Sequence, residues 1–174
     1  MDAHQEQFLK DELFSLTLMA TVQRAGVYSP GSCEKERKKF QTSLRSRLEK
    51  TAESYANQVT EEAHIRNIVE LSNTLTSQHA NVLENRRFRI GSAQKALNLY
   101  LKYLWCLGKI CSPPHCPFDR QIIASLPNYT GPSWTKLVRE EDYRALVEAA
   151  KAKAQDSSLA AWELRIYNNA KPGA

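Results

Sequence analysis

The stretch RRFRIGSAQKALNLYLKYLW, residues 86–105, decides how the rest of the chain is read. Its second half sets Ala96, Leu97, Leu99, Tyr100, Leu101, Tyr103 and Leu104 around nearly the whole circumference of a helix. A helix so apolar is a buried one, so the pattern predicts a central helix over residues 92–107. Three polar side chains interrupt it. Lys95, Asn98 and Lys102 fall at i, i+3 and i+7 and share one narrow face, with Trp105 and Cys106 below them. Such a stripe should look into a cleft or groove rather than into open solvent. Apolar walls and a neighbouring cation are the conditions that depress an amine pKa and make a lysine nucleophilic. The same lysine can equally extend its amine to water, or meet a phosphate as a plain charge.

Working outward, residues 86–118 hold six basic side chains: Arg86, Arg87, Arg89, Lys95, Lys102 and Lys109. No carboxylate appears among them, although the chain has 19. That local positive field suits a phosphate-binding surface. Gly91 and Ser92 stand where the helix begins. Free backbone N–H groups there bind phosphate, and a glycine lets a backbone approach closely. RFRIGSA therefore reads as a helix–hairpin–helix phosphate clamp, or as an ordinary tight connection between two core helices. Further on, Asp119 in PFDRQIIASL is the only carboxylate between Glu84 and Glu140. In the first turn of a short helix it favours the N-terminal dipole, and it is also a suitable partner for a lysine nucleophile.

The remainder follows the helical period, without internal repeats or low-complexity tracts. Helices are predicted over residues 5–24, 32–56, 92–107, 117–126, 140–154 and 158–168. Another, capped by Thr60, carries Ile65, Ile68, Val69, Leu71, Leu75 and Leu83. The second of these is densely charged with thin apolar spacing, which places it on the surface. Loops are marked by SPGS, CSPPHCP and PNYTGPS. The fold expected is an all-α, single-domain helical bundle over residues 1–174. Its N-terminal helices occupy 1–84, a helix–hairpin–helix core 86–126, and C-terminal helices 127–174.

Composition narrows the function. The chain has 174 residues, 42% apolar and 25% charged, with net charge +5 and a pI near 9.0. That balance permits an anionic partner without requiring one. The polar, acidic start is unlike a signal peptide, and the longest apolar run, residues 97–107, is broken by Lys102. A cytoplasmic protein with no membrane partner is expected, and its oligomeric state is not set by the sequence. Cys33, Cys106, Cys111 and Cys116 are not expected to form a disulfide framework. With His115 they give a C-x4-C-x3-H-C spacing that suits no paired-ligand metal site, and Cys106 reads as helix core. No metal and no cofactor are expected. Nucleotide-binding glycine loops, G-x-S-x-G and H-E-x-x-H are missing from the sequence.

GSAQKALNLYLKYLW followed by PFDRQII resembles the core of the helix–hairpin–helix DNA glycosylases, closest to the small archaeal and bacterial 8-oxoguanine glycosylases with AP-lyase activity. Gly91, Lys95 and Asp119 occupy the places of the family's hairpin glycine, lysine and aspartate. Leu101, Lys102 and DRQI echo its following positions. The resemblance covers about forty residues. It departs from the family at Ala93, which replaces the second hairpin glycine, at Gln121, which replaces a histidine, and in a longer lysine-to-aspartate spacing. What it implies is base-excision DNA repair on an oxidised purine, by a glycosylase and lyase. Lys95 and Asp119 would be catalytic. Arg86, Arg87, Arg89, Gly91, Ser92, Ala93, Lys102 and Arg120 would contact the phosphate backbone of duplex DNA. Asn98 and Trp105 would line the substrate pocket, with Tyr100, Tyr103 or Trp134 as other candidates for stacking on a base. The alternative is a non-enzymatic helical module of a mobile-element or defence system, binding DNA or protein. In that case Lys95 is a phosphate contact and Asp119 a helix cap.

Overall fold

A computed structural model describes residues 2–169; Met1 and residues 170–174, the end of the predicted C-terminal part, lie outside the described residues. Seven α-helices are present among them: α1 Ala3–Leu18, α2 Glu34–Glu53, α3 Glu61–His79, α4 Ile90–Cys106, α5 Arg120–Ala124, α6 Glu140–Ala154 and α7 Leu159–Asn169. The described residues form no strand, only an isolated antiparallel bridge between Tyr28 and Leu83. The all-α reading therefore holds. Helix starts follow local chemistry. Asp2 and Gln5 close a capping box on α1, and the Thr60 hydroxyl accepts the Ala63 N–H at the head of α3. Past Leu18, α1 widens into a π-helical turn, Met19–Gln23. Helix α3 stops at His79, short of Leu83, which instead pairs with Tyr28.

Helix α4 is the axis of the molecule. It is buried from Ile90 to Lys102, and α1, α2, α3 and α6 all pack against it. Helix α2 is more than a surface helix. Phe40, Leu44, Leu48 and Ala52 recur every four residues and are buried in the core. One such stripe is enough to seat a helix whose other faces are charged, which is why its apolar content looked thin.

The connection from α3 to α4 is not a tight hairpin. It runs over residues 80–89, with a short 3-10 turn, Glu84–Arg86, in which Asn85 and Arg86 take positive φ. The start of α4 is roofed by a second 3-10 turn, Trp134–Lys136. Gly91 donates its N–H to the Leu137 carbonyl at 2.9 Å. A Cβ at residue 91 would collide with the Trp134 carbonyl, so only glycine fits beneath this roof.

Candidate functional site

Lys95 lies in the second turn of α4 with its stem buried and its residue surface 7% exposed. Its Nζ donates to Asp119 Oδ2 at 2.9 Å. Asp119 is the N-cap of α5, and its other oxygen, Oδ1, accepts the N–H groups of Gln121 and Ile122, both at 3.0 Å. The carboxylate is thus fixed by its own helix on one side and by the lysine on the other. Burial on its own would push the Asp119 carboxyl up. The Lys95 charge and the two N–H donors outweigh burial and hold it below the usual carboxylate range.

Lys95 and Asp119 both open onto one cleft of about 850 Å³. The Trp134 ring forms another part of its lining, with its centroid 6.0 Å from Lys95 Nζ. Ala20 of the π-helical turn and Arg24 just after it also line the cleft, together with Arg120. Sequence reasoning passed over Ala20 and Arg24. Nothing local marks them, because tertiary packing of the π-helical turn on α4 carries them there.

The stripe on α4 separates into three environments. Asn98 does not line the cleft. It is fully buried, pairing with His64 Nε2 at 2.8 Å and donating to Gln94 Oε1 at 3.2 Å. Tyr143 and His115 extend this group, the Tyr143 hydroxyl lying 2.7 Å from His115 Nδ1. Lys102 is also withdrawn from any DNA surface. It forms a buried ion pair with Glu163 at 2.7 Å and lies over the Tyr167 ring. Trp105, half-buried in the last turn of α4, is outside the cleft lining, and Cys106 is exposed rather than core. By those last residues α4 has run past the helices that cover it.

The expected hairpin surface is largely turned inward. Gly91, Ser92 and Ala93 are buried, and their N–H groups are bonded to Leu137 and Arg89 carbonyls. Arg89 donates to the Ala25 carbonyl at 2.6 Å and Arg87 to the Val138 carbonyl at 3.2 Å. Arg86 remains exposed. These amides and two guanidiniums tie the chain to itself rather than presenting free donors. Among the described residues no cluster of three or more His, Cys, Asp or Glu side chains could hold a metal ion, and no helix is long and apolar enough to cross a membrane. The chain matches no protein-family model, no curated protein and no solved structure.

Proposed function

We propose that the cleft performs lysine-amine chemistry on a damaged nucleotide in DNA, as a glycosylase and AP lyase with an oxidised purine as the favoured substrate. The observation that carries this reading is the Lys95–Asp119 pair at 2.9 Å, opening onto a cleft beside an aromatic ring. In the resting pair Asp119 Oδ2 accepts a hydrogen bond from Lys95 Nζ, so it is placed to receive a proton from that amine. The deprotonated Nζ then attacks the sugar C1′. A C–N bond forms to Lys95, and the glycosidic C–N bond breaks with its electron pair leaving on the base, which takes up a proton. Ring opening gives an imine between Nζ and C1′. Loss of a C2′ proton expels the 3′ phosphate and nicks the strand. Asp119, ionised again once it has passed that proton to the departing base, stabilises positive charge on the sugar and then on the imine. The Trp134 ring offers a stacking face for an extruded base.

Borohydride reduction tests this directly, because it converts the imine to a stable amine. Incubation with duplex DNA bearing oxidised purines or an abasic site should give a covalent adduct that disappears in Lys95→Gln. In Asp119→Asn the adduct should form at least 100-fold more slowly, on the order expected for loss of a positioned acid–base group.

A second reading is a non-enzymatic helical DNA-binding or protein-interaction module of a mobile-element or defence system. The inward-facing hairpin amides favour it, since Lys95 and Asp119 then form one more internal ion pair. Salt-dependent DNA binding with no adduct on any lesion would select this reading.

A further inference from the structure

The cleft lining holds three cations, Arg24, Lys95 and Arg120, against one carboxylate, Asp119. Lys95 and Asp119 neutralise each other at 2.9 Å. Two guanidiniums are left over. Neither the Arg24 nor the Arg120 side chain makes a hydrogen bond or ion pair with the described residues, and both are exposed, whereas Lys95 is buried. Unpaired positive charge therefore stands at the rim of the cleft, while the amine and the Trp134 ring lie deeper. Arg47, Arg66 and Arg86 are likewise without such a bond among the described residues but lie outside the cleft lining, while other arginines hold protein groups. Arg144 holds Glu62 and Glu140, Arg45 holds Asp11 and Glu49, and Arg89 holds two carbonyls.

We propose that Arg24 joins Arg120, which the family resemblance already implied as a phosphate contact, and that these two guanidiniums of the cleft take over the role expected of the hairpin amides. The ligand class is a nucleotide phosphodiester. A planar guanidinium fork matches two phosphate oxygens, and an aromatic ring inside the cleft matches the apolar part of a nucleoside. Charge at the mouth and an apolar wall with an amine within suit a strand whose phosphates stay outside while one nucleoside enters. The volume of about 850 Å³ accommodates one nucleoside. Arg24 reaches this position through the π-helical turn, whose wider winding offsets residues after Gln23 from a regular continuation of α1. The assignment rests on the proposed DNA substrate but not on the imine chemistry.

The test is fluorescence anisotropy of the full chain with duplex DNA carrying one tetrahydrofuran abasic analogue, titrated between about 50 and 200 mM salt. Arg24→Gln and Arg120→Gln should each weaken binding by roughly tenfold and lower the salt slope by about one. The double variant should lose about two. Circular dichroism should show native helix content in each, since both side chains are exposed. Lys136→Gln, an exposed cation outside the cleft lining, is the control and should change binding less than either arginine variant. A second arm titrates a labelled deoxynucleoside 5′-monophosphate. Direct binding of labelled mononucleotide that is lost in both arginine variants, with no duplex binding, would keep the phosphate site and reassign its source to a free nucleotide.

Wild-type slope and affinity in both arginine variants would overturn the assignment, even if the borohydride adduct forms. So would absence of binding to both duplex and mononucleotide. Arginine-dependent binding with no adduct would leave the phosphate contacts standing and remove the lysine chemistry.

Discussion

Gly91 shows how one hydrogen atom in place of a methyl group can shape a site. The Trp134–Lys136 turn lies so close above it that its N–H bonds to Leu137 while the Trp134 carbonyl fills the space of a side chain. Gly91→Ala should therefore lift that turn, with a cost of about 1–3 kcal/mol, as for other overpacked interiors. Because Trp134 lines the cleft, the same substitution should red-shift tryptophan fluorescence and weaken DNA binding; a melting temperature and emission maximum equal to wild type would contradict the close packing. The residue pair that matters most was partly legible in the sequence. Lys95 stood out as a lysine in an apolar run, and Asp119 as an isolated carboxylate. The backbone environment of Gly91 was not legible, because its partner lies more than forty positions further along and is joined to it only by packing.

At the scale of elements, α4 and α7 are held together by a buried charge pair. Burial pushes the Glu163 carboxyl up, and Lys102 at 2.7 Å offsets this only in part. Both side chains are at most 10% exposed, so each depends on the other. Lys102→Met should destabilise the protein by about 3–5 kcal/mol, because it strands Glu163 without a partner. Adding Glu163→Met should restore stability to near the wild-type value or above it. Denaturant unfolding of the two single variants and the double variant measures this cycle, and an additive double variant would show that the pair is not coupled. Boundaries of the long helices could be read from capping chemistry and period, as at Thr60 and Glu140. The π-helical turn after Leu18 could not, since its composition, MATVQ, continues a helical pattern without interruption.

Across the whole molecule, α3, α4, α6 and the proline-rich loop meet in a buried polar group that joins His64, Asn98, Tyr143 and His115. The His64 and His115 rings meet edge-on with centroids 4.6 Å apart. Burial, with Lys151 and Arg144 nearby, pushes His115 down to about 3. Glu61 lies 3.6 Å from its Nε2 but is already engaged by Lys151 at 2.6 Å, so it does little to favour a charged ring. Burial and the His115 neighbour also carry His64 well below its ordinary value. In the unfolded chain both rings bind a proton below about 6.5. The folded state binds fewer protons, so stability is fully present above about 6.5 and declines as pH falls from there towards about 3. His115→Gln should flatten this decline by about one proton, or about 1.4 kcal/mol per pH unit. Urea unfolding at a series of pH values measures the slope, and equal slopes in wild type and variant would show that His115 titrates normally. Asp119 acts in a lower window. Its carboxyl is held below the usual range, so its contribution persists above about 3.9 and is lost as pH falls through its folded value.

The roof over Gly91 also sets an order of events in time. The cleft draws on Ala20 and Arg24, then on Lys95, then on Asp119 and Arg120, and finally on Trp134. A chain emerging from the ribosome can start helical turns in α1, α2 and α3 early, but α4, against which all three pack, follows later in the chain. The cleft itself is a product of long-range closure, the slow part of folding. Until Trp134–Lys136 has left the exit tunnel and settled on α4, Lys95 has no finished surroundings. A nascent chain stalled just before that point would carry the amine and both arginines but no finished site, so the chemistry proposed for Lys95 would be withheld until synthesis has passed Lys136, in the last quarter of the chain.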